Sequence, residues 1–146
     1  MEDPFENGLD AYNIGDYATA HRLWRPLAEQ GNVAVQHSLG LMYANGQGVT
    51  KNYVEAAKWW RLAAEQGDAP AQFNLGVMYR DGLGVPQDYV RAHMWFDLLA
   101  SRSPPGEVYD RAVKYRDAVA EFMTPAETAE AQKLAHEWRP VGEQAE

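Results

Sequence analysis

The sequence predicts an all-α fold, a solenoid of about four stacked antiparallel helix hairpins, on the strength of two observations. First, residues 32–67 and 68–103 are consecutive copies of one 36-residue unit, with fourteen identical positions when aligned without gaps. Second, both halves of the unit show helical spacing, and a glycine-rich turn separates them. A period of this size is typical of repeats that stack because one hairpin cannot bury its own apolar face.

Each half of the unit forms one stripe along a helix, with residues spaced by three or four positions. The stripe of the first half consists of Gln36, Leu39, Gly40 and Tyr43. The stripe of the second half consists of Tyr53, Ala56, Trp60 and Ala64. Gly40 lies in the middle of its helix, where glycine costs about 1 kcal/mol relative to alanine. We therefore expect the partner helix to approach closely there, through the flat surface of Ala56 and Ala64.

The two halves are joined by a turn that contains two glycines in both copies. Gly46 and Gly48 in the first copy, and Gly82 and Gly84 in the second, supply the positive φ angles that end a helix and reverse the chain. Phosphate-binding loops need a different glycine spacing and follow a strand, so this segment is interpreted as a turn.

A specific set of residues carries a resemblance to a known repeat family. In the first copy these are Gln36, Leu39, Gly40, Met42, Tyr43, Gly46, Gly48, Val49, Tyr53, Ala56, Ala57, Trp59, Trp60, Ala63, Ala64 and Gly67. The pattern resembles the Sel1-like repeat family, a branch of the tetratricopeptide-like helical repeats. The second copy departs at its end, with Leu99 for Ala63 and Ser103 for Gly67. The resemblance implies a right-handed superhelix of antiparallel helix pairs that binds proteins, often as an adaptor in bacteria.

The segments on either side of the two copies extend the array within a single domain, residues 1–146. Residues 3–31 look like a shortened, tetratricopeptide-like copy, in which Gly8 aligns with Gly40 and Trp24 with Trp60. Pro26 falls inside the second helix of this copy and should kink it. Residues 104–138 match the repeat poorly, and we expect them to form a capping pair of helices. Residues 139–146 are predicted to be a disordered tail.

The capping pair has its own apolar patterns. Its first helix is predicted to bury a stripe of Val108, Ala112, Tyr115, Val119 and Phe122. Its second helix should start with a capping box at Thr124 and Glu127. That helix is predicted to bury Ala131, Leu134, Ala135 and Trp138.

Composition bounds the function classes. The net charge of −8 argues against binding to nucleic acid or to anionic membranes. The sequence has no cysteine, which excludes disulfides and cysteine-based zinc sites. No apolar run approaches a membrane span, so no membrane insertion is expected. The acidic N-terminus is unlike a signal peptide, and the compartment stays open between bacterial cytoplasm and periplasm. The oligomeric state also stays open.

No motif indicates a cofactor, a metal or catalysis. His136-Glu137 begins like the H-E-x-x-H zinc motif, but Pro140 occupies the second ligand position. The aromatic residues have a packing interpretation instead. Trp24, Trp60 and Phe96 recur at one repeat position and should be core, whereas Trp59 and Trp95 lie one residue aside and are expected to be half exposed.

The predicted binding surface lies on the first helix of each unit. Because Leu39, Gly40 and Tyr43 must face the hairpin partner, three rows project toward the inner curve. These rows are Phe5, His37 and Phe73, then Leu9, Leu41 and Val77, then Asn13, Asn45 and Asp81. The middle row could equally well pack between neighbouring first helices.

The leading hypothesis is a non-catalytic protein-binding module that holds a protein or peptide segment on its concave face. The residues predicted to touch the partner are His37, Leu41, Phe73, Asn74, Val77 and Arg80. Two alternatives remain: an enzyme or regulatory subunit with a site assembled across repeats, and a self-associating scaffold.

Overall fold

The computed structural model describes residues 3–142, and this range folds into eight α-helices without a strand. The helices are α1 (Pro4–Asn13), α2 (Tyr17–Glu29), α3 (Val33–Asn45), α4 (Tyr53–Glu65), α5 (Ala69–Asp81), α6 (Tyr89–Arg102), α7 (Glu107–Ala120) and α8 (Pro125–Glu137). The predicted all-α repeat fold is confirmed. α2 continues past Pro26 to Glu29.

The helix ends follow from short polar side chains and glycines. The N-caps of α1 to α6 are all Asp or Asn, and each side chain accepts a backbone N–H from the first turn. α8 starts with the predicted capping box of Thr124 and Glu127. Gly46 and Gly82 end α3 and α5 with φ near 66° and 69°, which is the left-handed conformation that glycine adopts without strain.

Three hairpins stack in order, namely α1 with α2, α3 with α4, and α5 with α6. The last two helices differ from the predicted fourth hairpin, because both α7 and α8 pack mainly on α6 rather than on each other. α6 is therefore enclosed by α5, α7 and α8. Residues 143–146 of the predicted tail lie outside the described residues. Before them, the backbone N–H of Val141 donates to the carbonyl of Glu65, 2.8 Å away.

An indole ring accounts for the mid-helix glycine. A Cβ on Gly40 would overlap the ring of Trp60, and the same relation holds between Gly8 and Trp24. The Trp60 indole N–H also donates to the backbone carbonyl of His37, 3.1 Å away. The expected surface of Ala56 and Ala64 was therefore wrong in detail, since the close approach is made by the aromatic ring. Phe96 covers Gly76 in the third hairpin without an N–H to donate.

Neighbouring hairpins are joined by repeated polar contacts. An arginine guanidinium donates to the hydroxyl of a tyrosine in the next first helix, with Arg25 on Tyr43 at 3.2 Å and Arg61 on Tyr79. At the third junction the arrangement changes, because Asp97 occupies the arginine position. It accepts a hydrogen bond from Arg116 of α7 at 3.1 Å.

The prediction for Trp59 and Trp95 was wrong. Their side chains are only 2% and 5% exposed. Trp59 is covered by the preceding hairpin, where the Arg25 guanidinium lies 6.0 Å from its ring centroid. Trp95 makes an edge contact with Trp138, with the centroids 6.2 Å apart. Both rings thus fill space between elements rather than inside one hairpin.

The apolar stripes of the last two helices are narrower than predicted. On α7 only Ala112 and Val119 are buried, Tyr115 is half-buried, and Val108 and Phe122 are exposed. On α8, Ala131 and Ala135 are buried and Trp138 is half-buried, whereas Leu134 is exposed. Phe122, which follows the end of α7, stacks on Tyr89 of α6 with the ring centroids 5.5 Å apart, although most of its side chain stays exposed.

Candidate binding surface

Four of the six predicted binding residues line one cavity, and all four belong to α5. This cavity, called cavity A, has a volume of about 320 Å³. Its lining residues are Ala44, Tyr53, Trp60, Phe73, Asn74, Val77, Met78, Arg80, Leu83 and Tyr115. A second cavity of about 280 Å³, called cavity B, shares Phe73 and Asn74 with the first. The other residues that line cavity B are Ala69, Pro70, Leu99, Val108 and Arg111.

His37 and Leu41 do not line either cavity. Nδ1 of His37 lies 3.5 Å from Oδ2 of Asp68, the carboxylate that caps the N-terminus of α5. Leu41 is half-buried against the core. Both residues therefore connect α3 to the rest of the stack, which is the packing alternative that the sequence left open for the Leu41 row.

Phe73 is less accessible than a free groove aromatic. Its ring centroid is 5.7 Å from that of Phe96 and 4.9 Å from that of Tyr115. The guanidinium of Arg111 lies over the ring, 5.7 Å from its centroid. The half-buried ring forms the wall between the two cavities, so its removal should cost stability as well as binding.

Arg80 is already engaged within the chain. Its Nε and Nη2 donate to the two carboxylate oxygens of Asp81 at 2.7 and 2.8 Å. The hydrogen bond from Arg80 holds the pKa of the Asp81 carboxyl below its usual value. The guanidinium also lies 5.4 Å from the ring centroid of Tyr115. Arg80 thus contributes a fixed, largely neutralised rim to cavity A.

Asn74 and Val77 remain the most available of the predicted residues. Both are half-buried and border cavity A, and Asn74 also borders cavity B. The amide of Asn74 forms no hydrogen bond with any residue in the described range 3–142. A side-chain amide offers two donors and an acceptor, which suits pairing with the backbone of another chain.

α7 supplies Val108, Arg111 and Tyr115 to the cavity walls, a contribution that was not predicted from the sequence. The 36-residue repeat period contains a signal for this contribution of α7. Tyr115 follows Tyr79 by 36 residues, and Ala112 follows Gly76 by the same interval. α7 thus takes the place of a further first helix, although most other positions of the unit have changed.

The titratable residues of the described range form no arrangement that holds a metal. Across residues 3–142 there is no group of three His, Cys, Asp or Glu side chains placed to bind an ion. His93 is buried in α6, where burial lowers the pKa of its imidazole. Its Nδ1 has no hydrogen-bond partner within the described range. It lines neither cavity.

Three stacked hairpins, with two cavities bordered mainly by α5, define a helical-repeat protein of the solenoid class. The family model described as Sel1 repeat matches residues 5–32, 33–68 and 69–103. The chain therefore belongs to the Sel1 repeat family, whose members are generally protein-interaction modules and non-catalytic repeat scaffolds. None of the helices in residues 3–142 has the length and apolar content to cross a membrane.

Solved bacterial structures show the same fold. One is c5321, a protective antigen present in uropathogenic Escherichia coli strains and displaying an SLR fold. It superposes with a TM-score of 0.81 at 30% identity over 92% of this chain. The match spans only 29% of the antigen's chain. Another is a Sel1 repeat protein from Oxalobacter formigenes, with a TM-score of 0.68, 32% identity and coverage of 79% of this chain and 86% of that one. No curated protein matches this chain significantly.

Proposed function

We propose that this chain is a non-catalytic protein-binding module that holds a partner segment on its concave face, across cavities A and B. The observation that supports this most is the position of Asn74. Its unbonded amide lies at the border of two cavities whose walls are mainly apolar. An extended segment could place apolar side chains in both cavities while its backbone pairs with this amide.

The six predicted residues have different parts in this proposal. Asn74 and Val77 touch the partner directly, and Phe73 borders both cavities. Arg80 borders the partner from the rim, held in place by Asp81. His37 and Leu41 support α5 from the neighbouring helix rather than anchor the partner.

Two contributions to the binding free energy favour a segment that fills these cavities. Half-buried apolar side chains lose their remaining contact with water when a partner covers them, at about 25 cal/mol per Å². Such anchors, with a few hydrogen bonds, carry most of the energy in known interfaces. Because the cavity walls come from helices that are already packed, little ordering is needed on this side of the complex.

Peptide selection tests the proposal. Peptides would be selected from a random phage-displayed library on the purified chain, and their affinities measured for Asn74→Ala, Val77→Asp and the control Arg22→Ala. Arg22 is exposed on α2, away from both cavities. We expect Val77→Asp to weaken binding by roughly tenfold or more, which is about 1.4 kcal/mol, and Asn74→Ala to weaken it by less.

Circular dichroism and melting curves would establish that the variants fold. Selected peptides that bind all variants equally would place the binding surface elsewhere and refute the proposal. Failure to select any specific peptide would refute it as well.

A further inference from the structure

The outer surfaces of α4 and α6 are equivalent in sequence but differ in what covers them. On α4 the residues that project outward at intervals of four are Val54, Lys58 and Leu62, which we call the α4 outer face. The equivalents 36 residues later on α6 are Val90, Met94 and Leu98. Because α4 and α6 belong to two copies of one unit, each helix serves as a reference for the other.

On α6 this face is covered. Met94 and Leu98 are 8% and 1% exposed, and they belong to the same apolar cluster as Ala135 of α8. α8 packs on α6 and ends with Trp138 against Trp95. The Arg102 guanidinium lies 4.8 Å from the centroid of the Trp138 ring. The chain itself thus shows that an amphipathic helix binds the outer side of a second helix in this repeat.

On α4 the same face is open. Val54 and Leu62 are 66% and 38% exposed. They border a groove of about 320 Å³, whose other lining residues are Ala57, Lys58, Arg61, Gly84 and Val85. On α2 the corresponding positions hold Ala18 and Pro26, which offer much less apolar surface. Of the three helices compared, α4 is therefore the one with large apolar side chains left uncovered.

The charge of the groove is opposite to that of the whole chain. Lys58 and Arg61 line it, and neither forms an ion pair with another residue in the range 3–142. The Lys58 ammonium lies 5.3 Å from the ring centroid of Trp59, and Arg61 donates to the hydroxyl of Tyr79. Two unpaired cations beside apolar side chains, in a chain of net charge −8, favour an acidic partner.

We propose that the α4 outer face is a second binding site, which takes an amphipathic helix of a partner protein. The helix would carry small and large apolar side chains on one stripe, as α8 does, and acidic residues beside that stripe to meet Lys58 and Arg61. Helix-in-groove binding of this kind uses anchors spaced by three or four residues. The site shares no lining residue with cavities A and B.

A synthetic peptide with the sequence of residues 124–138 and the change Lys133→Glu is a direct probe, because it combines the apolar stripe of α8 with added acidity. Its affinity for the full chain would be measured by fluorescence anisotropy. We expect saturable binding that weakens with added salt. Leu62→Asp and Lys58→Glu in the full chain should each weaken binding by roughly tenfold or more.

The matched control is Ile14→Asp, another acidic replacement of an exposed aliphatic residue, which should leave binding unchanged. Backbone amide spectra would show whether the peptide shifts the signals of Val54 to Leu62. Absence of saturable binding would overturn the proposal. Binding that ignores both α4 variants and shifts the signals of α6 instead would also overturn it, because the peptide would then be replacing α8.

The outcome is separable from that of the concave site. Weaker binding of the selected peptides to Val77→Asp tests cavities A and B alone. Weaker binding of the helical peptide to Leu62→Asp tests the α4 outer face alone.

Discussion

The second hairpin and the last two helices have the same sequence register but different packing. In α3 and α4, the ring of Trp60 fills the space over Gly40 and donates to the His37 carbonyl, which holds the two helices together. One repeat after Gly76 and Phe96, the corresponding residues are Ala112 and Gln132. Gln132 is exposed, and α8 packs on α6 instead. The aromatic ring over a small residue therefore distinguishes the helices that pair as hairpins from those that do not.

Removal of the Trp60 ring is the strongest test of this comparison. We expect Trp60→Ala to lower the free energy of unfolding by about 3–5 kcal/mol, because it leaves a large cavity over Gly40. Urea denaturation would measure the loss, with Val108→Ala on exposed α7 surface as the control. A loss below about 1 kcal/mol would mean that the ring does not hold the hairpin together.

Phe73→Ala should have the next largest effect, a loss of roughly 2–3 kcal/mol, because the ring is only half-buried. Its contacts with Phe96 and Tyr115 connect α5 to both α6 and α7. Thermal melts followed by circular dichroism would report the loss. An unchanged melting temperature would show that Phe73 is the free groove aromatic that the sequence analysis expected.

Trp60→Phe gives the second hairpin the aromatic residue that the third hairpin has at the same position. The ring remains but the hydrogen bond to His37 is lost, so we expect a cost of about 1 kcal/mol. The measurement is again the urea midpoint. A cost equal to that of Trp60→Ala would show that the hydrogen bond, and not the ring, dominates the contact.

A smaller loss of stability is expected at the third junction, where α6 meets α7. Arg116→Ala removes the partner of Asp97, and because both side chains are partly exposed we expect a loss of about 1 kcal/mol or less. The double variant with Asp97→Ala should cost little more than either single change, since the two residues act together. Additive losses would contradict a specific pair.

The pH dependence of the stability is the last test, and its direction follows from the pKa of His93. Burial lowers the pKa of this imidazole in the folded chain, so the unfolded chain takes up the proton more readily. Stability should therefore fall as the pH drops below about 6.5. Asp97, Arg116 and Asp117 act on the same group, with burial the largest cause. His93→Gln should flatten this part of the profile.

The imidazole of the half-buried His21, whose pKa is lowered by burial and then by Arg25, adds a change of the same sign. The His93→Gln profile should therefore retain part of its slope. A profile identical to that of the unmodified chain would show that His93 does not resist protonation in the folded state.

The period of 36 residues was enough to predict the helices of the repeats, the glycines that end α3 and α5, and most of the core. Leu39 and Tyr43 are buried as their spacing predicts. The orientation of Trp59 was missed because one residue turns a helix by about 100°, and the space that its ring fills belongs to the preceding hairpin. The path of α8 was missed because it depends on contacts with α6 across the chain, which no local pattern records.

The residues of the candidate site were predicted only in part, because some of them come together through contacts between distant segments. Asn74 and Val77 follow from the helical face that α5 must present, and they do line cavity A. Arg111 and Tyr115 could not be placed beside them from sequence, because α7 departs from the repeat at most positions. The engagement of Arg80 by its neighbour Asp81 was likewise invisible in the spacing.

The contacts of Arg25 with Tyr43 and of Arg61 with Tyr79 have a consequence for how such a protein can change length. If residues 32–67 were duplicated in place, the new boundary would bring a copy of Arg61 against a copy of Tyr43, and both residues already meet an equivalent partner in this chain. In-frame duplication of one coding segment would then add a helix pair without any new interface having to be invented. Copy number, and with it the length of the stack, is therefore open to change in a single genetic step.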